Sequence, residues 1–284
     1  MAVQNSLQRS RGNQRLGISA YLTADAVKNQ INQVVGGKDG QRFISAIVSA
    51  VNTNPALQEC TNQSILSGAL LGESLKLSPS PQLGQYYLVP FNDKNKGKVA
   101  QFQLGYKGYI QLAIRSGQYK KLNVLAIKEG ELIRFDPLNE EIEVRLIEDE
   151  EEREQANTIG YYAMFEYTNG FRKAIYWSKR KMEAHALKYS KGYQAKKGYT
   201  FWEKDFDGMA YKTMLRQLIS KWGIMSIDMA SAIDSDMAVI NEDGTKDYVD
   251  NDATVFDMEP AQEATPQQSQ PVPVDAKAAL FGNN

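Results

Sequence analysis

Cysteine and histidine are almost missing from this 284-residue chain, which has only Cys60 and His185. One cysteine closes no internal disulfide, and one Cys with one His cannot complete a zinc cage. Long apolar runs are missing as well. No stretch approaches the ~18 apolar residues that a membrane helix needs, and residues 1–6 show no secretory h-region. A soluble, cytoplasmic protein with no membrane partner is expected.

Nucleotide loops are also absent. Gly37-Lys38 and Gly97-Lys98 lack the following Ser/Thr and the upstream glycine of a P-loop, and Gly105-Tyr106-Lys107-Gly108 is no dinucleotide fingerprint. The nuclease spacing of an acid two residues before a lysine occurs only at Asp275-Ala276-Lys277, in a polar tail. Glu203, Asp205 and Asp207 are close enough in sequence to hold magnesium, though such a trio is more often a solvated helix start. His185 has no serine in a nucleophile elbow near it and reads as an ordinary helix residue. Cys60 reads as a small buried apolar group. Neither catalysis nor a cofactor is expected.

Charge is balanced in total and not in distribution. The 33 basic and 34 acidic residues nearly cancel. From residue 234 onward, however, eleven acids face only Lys246 and Lys277, leaving 31 basic and 23 acidic residues in the first 233. Residues 140–154 concentrate nine carboxylates, so the rest of the body is more basic still. A basic body with an acidic tail suggests an anionic partner for the body. The plainer alternative is a tail that only aids solubility.

Periodicity divides the chain into parts. Residues 1–22 lack a sustained period and read as a flexible arm. Apolar positions Phe43, Ile44, Ile47, Val48 and Val51 predict a helix over 41–51, and Ile65, Leu66, Ala69 and Leu70 predict another over 61–75. The middle reads as sheet. Strands are predicted over 86–91 and 99–104, then a helix over 106–116. A hairpin is expected around Gly130 from 122–127 and 131–135, with a further strand over 142–147. Thr168-Asn169-Gly170 between aromatic runs 161–167 and 171–177 predicts a tight hairpin, both turn residues tolerating positive φ. The acidic stretch 148–154 is placed in an exposed loop. Ser178 is a good N-cap for a helix over 179–187, and a longer helix spans 206–222. From about residue 234 the composition predicts a disordered acidic tail. Its closing Ala278-Ala279-Leu280-Phe281 is a weak docking motif. The fold class is α+β: a central antiparallel β-sheet with hairpins packed against helices, a core of residues 23–233 between two tails.

Positive charge interleaved with aromatics is what the chain has in abundance. Seven basic residues and no carboxylate lie between Lys94 and Lys121, and thirteen basic residues face four acidic ones between Arg172 and Lys221. Cations neutralise phosphates, while aromatic faces stack on bases for about 1–3 kcal/mol each without regard to sequence. Many of these aromatics must be sheet core, and Trp177 and Trp222 are assigned there. On the helix over 206–222, Tyr211, Met214, Leu215, Leu218 and Trp222 form an apolar stripe, with Lys212 and Arg216 opposite. Like charges at i, i+4 cost a few tenths of a kcal/mol unless an anion relieves them. Lys179-Arg180-Lys181 opens a helix at the end where the macrodipole disfavours cations. A phosphate would turn both into attraction.

These residues resemble a known family. Gln101-Phe102-Gln103-Leu104-Gly105-Tyr106-Lys107-Gly108-Tyr109-Ile110-Gln111-Leu112-Ala113, continuing through Arg115-Ser116-Gly117-Gln118, is similar to the central motif of the RecT family of phage-encoded single-strand annealing proteins. The likeness takes in Asn54-Pro55-Ala56-Leu57 with Cys60, Tyr87-Leu88-Val89-Pro90-Phe91, Trp177, Trp202, and Met209-Ala210 through Leu215-Arg216, spanning about residues 40–233. The resemblance implies ATP-independent annealing of complementary single-stranded DNA, rings or helical filaments of a homo-oligomer, and a bacterial-host setting. It further implies work with a 5′-to-3′ exonuclease and contact with the host single-strand binding protein. Lys107, Arg115, Lys120, Lys121, Lys179, Arg180, Lys181, Lys212 and Arg216 are then expected on phosphates. Gln103, Tyr106, Tyr109 and Trp202 are expected to position bases. Two rivals are a protein that coats single strands without pairing them and a magnesium-dependent nuclease using Glu203, Asp205 and Asp207.

Overall fold

The computed structural model describes residues 16–93, 95–198 and 200–248. Lys94, most of the expected arm and the tail with residues 278–281 lie outside the described residues. Four helices come first: α1 (Ile18–Thr23), α2 (Asp25–Val35), α3 (Gly37–Thr53) and, after a 3-10 turn at Pro55–Glu59, α4 (Asn62–Ser74). The hairpin β1 (Tyr86–Asp93) and β2 (Gly97–Leu104) leads into α5 (Tyr106–Arg115). Then follow β3 (Tyr119–Lys128), β4 (Leu132–Asp136), β5 (Glu141–Val144), α6 (Glu150–Gln155), β6 (Thr158–Tyr167) and β7 (Arg172–Ser178). The chain continues through α7 (Lys179–Tyr189), α8 (Lys191–Gln194), α9 (Phe201–Lys204), α10 (Phe206–Trp222), α11 (Ile227–Ser235), β8 (Val239–Ile240) and β9 (Lys246–Asp247).

All pairings are antiparallel: β1 with β2, β3-β6-β7 as a three-stranded sheet, β4 with β5, and β8 with β9. Strand β6 is the spine. Its period-2 alternation sends Tyr161, Ala163 and Phe165 into the main core, while Tyr162 and Met164 pack with Ile127 in a second cluster against Leu132, Ile142 and Val144. Because both faces are covered, seven of the ten residues of β6 are buried and none is exposed. Helix α10 lies over this sheet and touches α5, so Leu215, Tyr109, Tyr161 and Phe102 share one core. The start of α5 is pressed onto the 84–85 backbone. A Cβ on Gly105 or Gly108 would stand 2.1 Å from the carbonyl oxygens of Gly84 and Gln85 respectively, so only glycine fits at either place.

Several expectations need correction. Strands β3 and β4 flank Gly130 and yet do not form a hairpin: β3 pairs with β6 and β4 with β5, the turn at Gly130 (φ 85°) carrying the chain from one sheet to the next. In the hairpin at 168–170 only Gly170 has positive φ; Asn169 instead accepts a hydrogen bond from the Phe171 N–H through its side chain. The acidic stretch is no loop. Asp149 caps α6 by accepting from the Glu152 N–H at 2.8 Å, and carboxylates crowd its first turn where the helix dipole favours them. Part of the expected arm is helix α1, whose Leu22 is fully buried. Part of the expected tail is equally ordered: beyond α11, Phe102 exchanges backbone hydrogen bonds with Met237 and Ala238, an isolated bridge that holds the chain against β2 just before β8.

A buried ion pair ties α6 to the sheet. Glu131, with no solvent exposure, accepts from the backbone N–H groups of Lys128 (2.7 Å) and Ile147 (3.2 Å) and from Arg153 Nε (2.6 Å). Arg153 also donates to the Ala126 carbonyl. Burial alone would raise the Glu131 carboxyl, but these hydrogen bonds outweigh it and hold the group below the usual carboxylate range. Removing one partner strands a buried charge. Arg153→Met is therefore expected to cost about 3 kcal/mol in urea unfolding, and a loss under about 0.5 kcal/mol, the scale of an ordinary surface substitution, would show that the pair does not hold α6.

Candidate nucleic-acid interface

Helix α5 presents the first cation. Gly105 occupies its N-cap without a side-chain bond, so the helix start is uncapped, and Lys107 in the first turn is exposed with Nζ 5.9 Å from the Tyr106 ring centre. Tyr106 is half-buried, and Gln103, also half-buried, donates to the Gln101 side chain at 2.8 Å.

Helix α7 presents the second group. Ser178 Oγ accepts from the Lys181 N–H at 3.3 Å, which starts the helix and sets Lys179, Arg180 and Lys181 on exposed positions of its first turn. Lys181 Nζ stands 4.3 Å from the Trp177 ring centre. Burial and the nearby charge of Lys221, at the end of α10, pull its ammonium below the ordinary lysine range. Lys221 and Lys173 in turn stand 5.1 and 4.2 Å from the Trp222 ring centre. Among the described residues, Lys107, Lys179, Arg180, Lys181 and Lys221 carry no carboxylate partner.

A continuous series of ring contacts joins the two groups. Tyr106 meets Tyr211 (5.7 Å between centres), Tyr211 meets Tyr161 (6.1 Å), and Tyr161 meets Phe206 (6.2 Å). Phe206 then meets Trp202 (5.1 Å), Trp202 meets His185 (6.4 Å), and His185 meets Trp177 (5.5 Å). The rings fix the position of the outer cations more than they offer faces to solvent.

Four expected contacts are inside the protein. Lys212 and Arg216 are only 7% and 9% exposed. Both bind Asp236: Lys212 Nζ to Oδ1 at 2.9 Å and Arg216 Nη1 to Oδ2 at 2.5 Å, while the Leu104 N–H donates to Oδ1 at 2.9 Å. The helical stripe placed them opposite the apolar face correctly, but α5, through Tyr109, and the segment at Asp236 cover that opposite side too. Burial pulls the Lys212 ammonium down, whereas Tyr109 and Asp236 outweigh burial and raise Arg216. Tyr109 is fully buried, and burial raises its hydroxyl above the ordinary range. Trp202 is core as well. None of the four presents its side chain to a strand in this conformation.

The remaining expected cations are exposed and engaged. Arg115 donates to the Leu75 carbonyl at 2.7 Å and so caps α4. Lys120 and Lys121 lie 2.6 and 3.6 Å from the one carboxylate of Glu166. Trp222, assigned to the core, is 37% exposed, and Lys221, not among the expected contacts, is exposed beside it. Adjacent Lys-Trp at a helix end was the available signal, although a terminal lysine there is also ordinary helix-dipole chemistry. Glu203, Asp205 and Asp207 are each in structural use. Glu203 closes a capping box with Thr200, Asp205 caps α10, and Asp207 accepts from the Tyr161 hydroxyl at 2.6 Å. Among the described residues no group of three acids, His or Cys is arranged to hold a metal. Nor is any helix among them long and apolar enough to cross a membrane.

An α+β body with a carboxylate-free cationic rim on an aromatic frame suits an extended polyanion. The RecT family pattern matches residues 41–252. The chain belongs to the RecT family. It is 38% identical to the uncharacterized protein YqaK of Bacillus subtilis (strain 168), over 96% of this chain and 95% of that one. It is 28% identical to Protein RecT of Escherichia coli (strain K12), over 81% of this chain and 86% of that one. Membership supports a role in recombination by strand annealing.

His185 sits among Trp177, Tyr189 and Trp202, and burial with the charges of Lys188, Arg216 and Lys181 pushes its imidazole down to about 4. The unfolded chain, with an ordinary imidazole near 6.5, therefore takes up the proton first. Stability is full above about pH 6.5 and is lost as pH falls toward 4, by up to about 3 kcal/mol. Urea midpoints of wild type and His185→Gln are expected to converge between pH 7 and 4.5; parallel curves would contradict the buried neutral imidazole.

Proposed function

We propose that this protein is an ATP-independent single-strand DNA annealing protein, which binds a strand along the cations of α5, α7 and the end of α10 and pairs it with its complement. The observation that carries the proposal is a set of exposed cations, Lys107, Lys179, Arg180, Lys181 and Lys221, without a carboxylate partner among the described residues and placed at the two ends of an aromatic series, in a chain of the RecT family. Contacts of this kind neutralise phosphates and leave base edges free to test a second strand. Lys120 and Lys121 share one carboxylate, so the pair keeps one net positive charge and supplies a secondary contact. Tyr106 and Gln103, half-buried beside Lys107, are placed to bear on nucleotides held there. Arg115 acts mainly as a helix cap.

The protein needs no nucleotide in this scheme, and its sequence offers no loop to hold one. Family membership supports a homo-oligomer, ring or filament, in which the binding face continues from subunit to subunit. The same membership supports a 5′-to-3′ exonuclease that supplies single strands and a host single-strand binding protein as partners, in phage-type recombination. The carboxylates at 203–207 have no part in the scheme.

The test is annealing followed by donor–acceptor fluorescence with labelled complementary oligonucleotides, at moderate salt and without ATP. The protein is expected to speed pairing, and Lys107→Ala with Lys181→Ala is expected to lower the rate at least about tenfold, the scale of two lost phosphate contacts. Slowed pairing with tight binding would make this a coating protein instead, and strand loss only with magnesium would return attention to Glu203, Asp205 and Asp207.

A further inference from the structure

The corner between α10 and α11 is apolar, exposed and tied to the sheet through Tyr167. Trp222, Ile224, Met225 and, on the neighbouring β6–β7 turn, Phe171 are between 37% and 45% exposed, and Ile227 is 88% exposed. Five large apolar side chains in one small region are more than scattered surface residues, and such patches mark interaction sites. The corner does not hang free. The Tyr167 hydroxyl accepts from the Ile224 N–H and contacts the Trp222 carbonyl, and its ring stacks 5.9 Å from that of Phe171. Gly223 follows directly: a Cβ there would stand 2.5 Å from the Ile219 carbonyl oxygen, so the chain turns tightly against the helix end. Ser226 then caps α11 by accepting from the Met229 N–H at 3.1 Å.

Cations border this corner. Lys221 and Lys173 lie over Trp222, and Lys221 adjoins Lys181, so the apolar side chains continue the cationic face of α7. Lys173 is also paired with Glu140, which leaves Lys221 and Lys181 as the free charges on this border. An occupant must therefore be anionic along its length and apolar at intervals. Unpaired nucleotides have both properties in the required alternation: phosphates for the lysines, base faces for the aliphatic and aromatic side chains. We infer that the corner formed by Trp222, Ile224, Met225 and Ile227 is a nucleobase-binding wedge, which receives the bases of a single strand whose phosphates lie on Lys181 and Lys221. Aliphatic and methionine side chains that enter a base stack separate neighbouring bases at one step. A wedge of this kind holds the strand open at that step and leaves the edges of flanking bases accessible to a complement. The inference rests on the annealing proposal and adds to it a base-contacting element outside α5 and α7.

Abasic DNA separates the two ideas. A labelled oligothymidine and an abasic oligomer of equal length present the same phosphates, with and without bases. The wild type is expected to bind the oligothymidine about tenfold or more tightly, from base contacts of the usual strength. The variant Ile224→Ser, Met225→Ser, Ile227→Ser is expected to lose about that factor for oligothymidine and nothing for the abasic strand. Its thermal melt is expected to fall only modestly and the variant to remain folded, because Ile227 is 88% exposed and Ile224 and Met225 are 44% and 39% exposed. Trp222 emission should be quenched by oligothymidine and not by the abasic strand, with the quenching lost in Trp222→Phe. Unchanged affinity of the triple variant for both strands would overturn the wedge, as would an equal loss for both. Unchanged affinity together with sedimentation as a smaller species would overturn it in favour of a contact between copies. Failure of the wild type to bind either strand would instead defeat the annealing proposal itself.

Discussion

Asp236 holds together parts of the chain that are far apart in sequence. Its carboxylate accepts from Lys212 and Arg216 on α10 and from the Leu104 N–H at the end of β2. Next to it, Gln101 donates to the Met237 carbonyl and Phe102 bonds to Met237 and Ala238. The long helix, the β1–β2 hairpin and the segment after α11 are thus fastened at one buried point. Two cations in a low-dielectric interior would be prohibitively costly without that carboxylate. Because β2 runs directly into α5, the same fastening sets the angle at which α5 presents Lys107.

Two populations of basic residues follow from this arrangement. The inner pair, Lys212 and Arg216, is neutralised within the protein and acts on the fold. Among the described residues, the outer group on α5, α7 and the end of α10 has no carboxylate within ion-pair distance and stays exposed. Sequence spacing alone does not separate these populations, since all of them lie in the same basic-aromatic stretches. Burial separates them. Lys107 and Lys181 also stand over rings at the two ends of the aromatic series, so less ordering entropy is lost there on binding than with lysines on loose loops.

The local elements were legible where one segment decides its own structure. Helix α10 was expected over its observed residues, and the 86–104 and 161–177 hairpins pair as anticipated, because periodicity and turn chemistry are local signals. What could not be read depended on distant partners. Gly130 turns the chain between two sheets rather than within one, a matter of which strand β6 accepts. Asp236 lies in a stretch whose composition is that of a tail, yet its charge is required twenty residues earlier on α10. The exposed placement of Lys179, Arg180 and Lys181 was legible because Ser178 both caps the helix and fixes which residues form its first turn. Lys212 and Arg216 were not, because a helical stripe shows which side is apolar and says nothing of whether a second layer covers the other side. The exposure of Trp222 was missed for a related reason: a terminal aromatic on an apolar stripe is ordinarily core, and here Lys173 and Lys221, not apolar side chains, stand over its ring.

The division between outer and inner cations is the central claim, and salt dependence tests it directly. Affinity for a single strand falls with salt by about 0.7 in log–log slope for each phosphate neutralised. Measured by fluorescence anisotropy across a salt series, Lys179→Gln, Arg180→Gln, Lys181→Gln is predicted to reduce the slope by about 2 with an unchanged urea midpoint. Arg216→Met is predicted to lower the urea midpoint while keeping the wild-type slope under conditions where it remains folded. A normal slope in the outer variant, or a reduced slope in a folded Arg216→Met, would contradict the account.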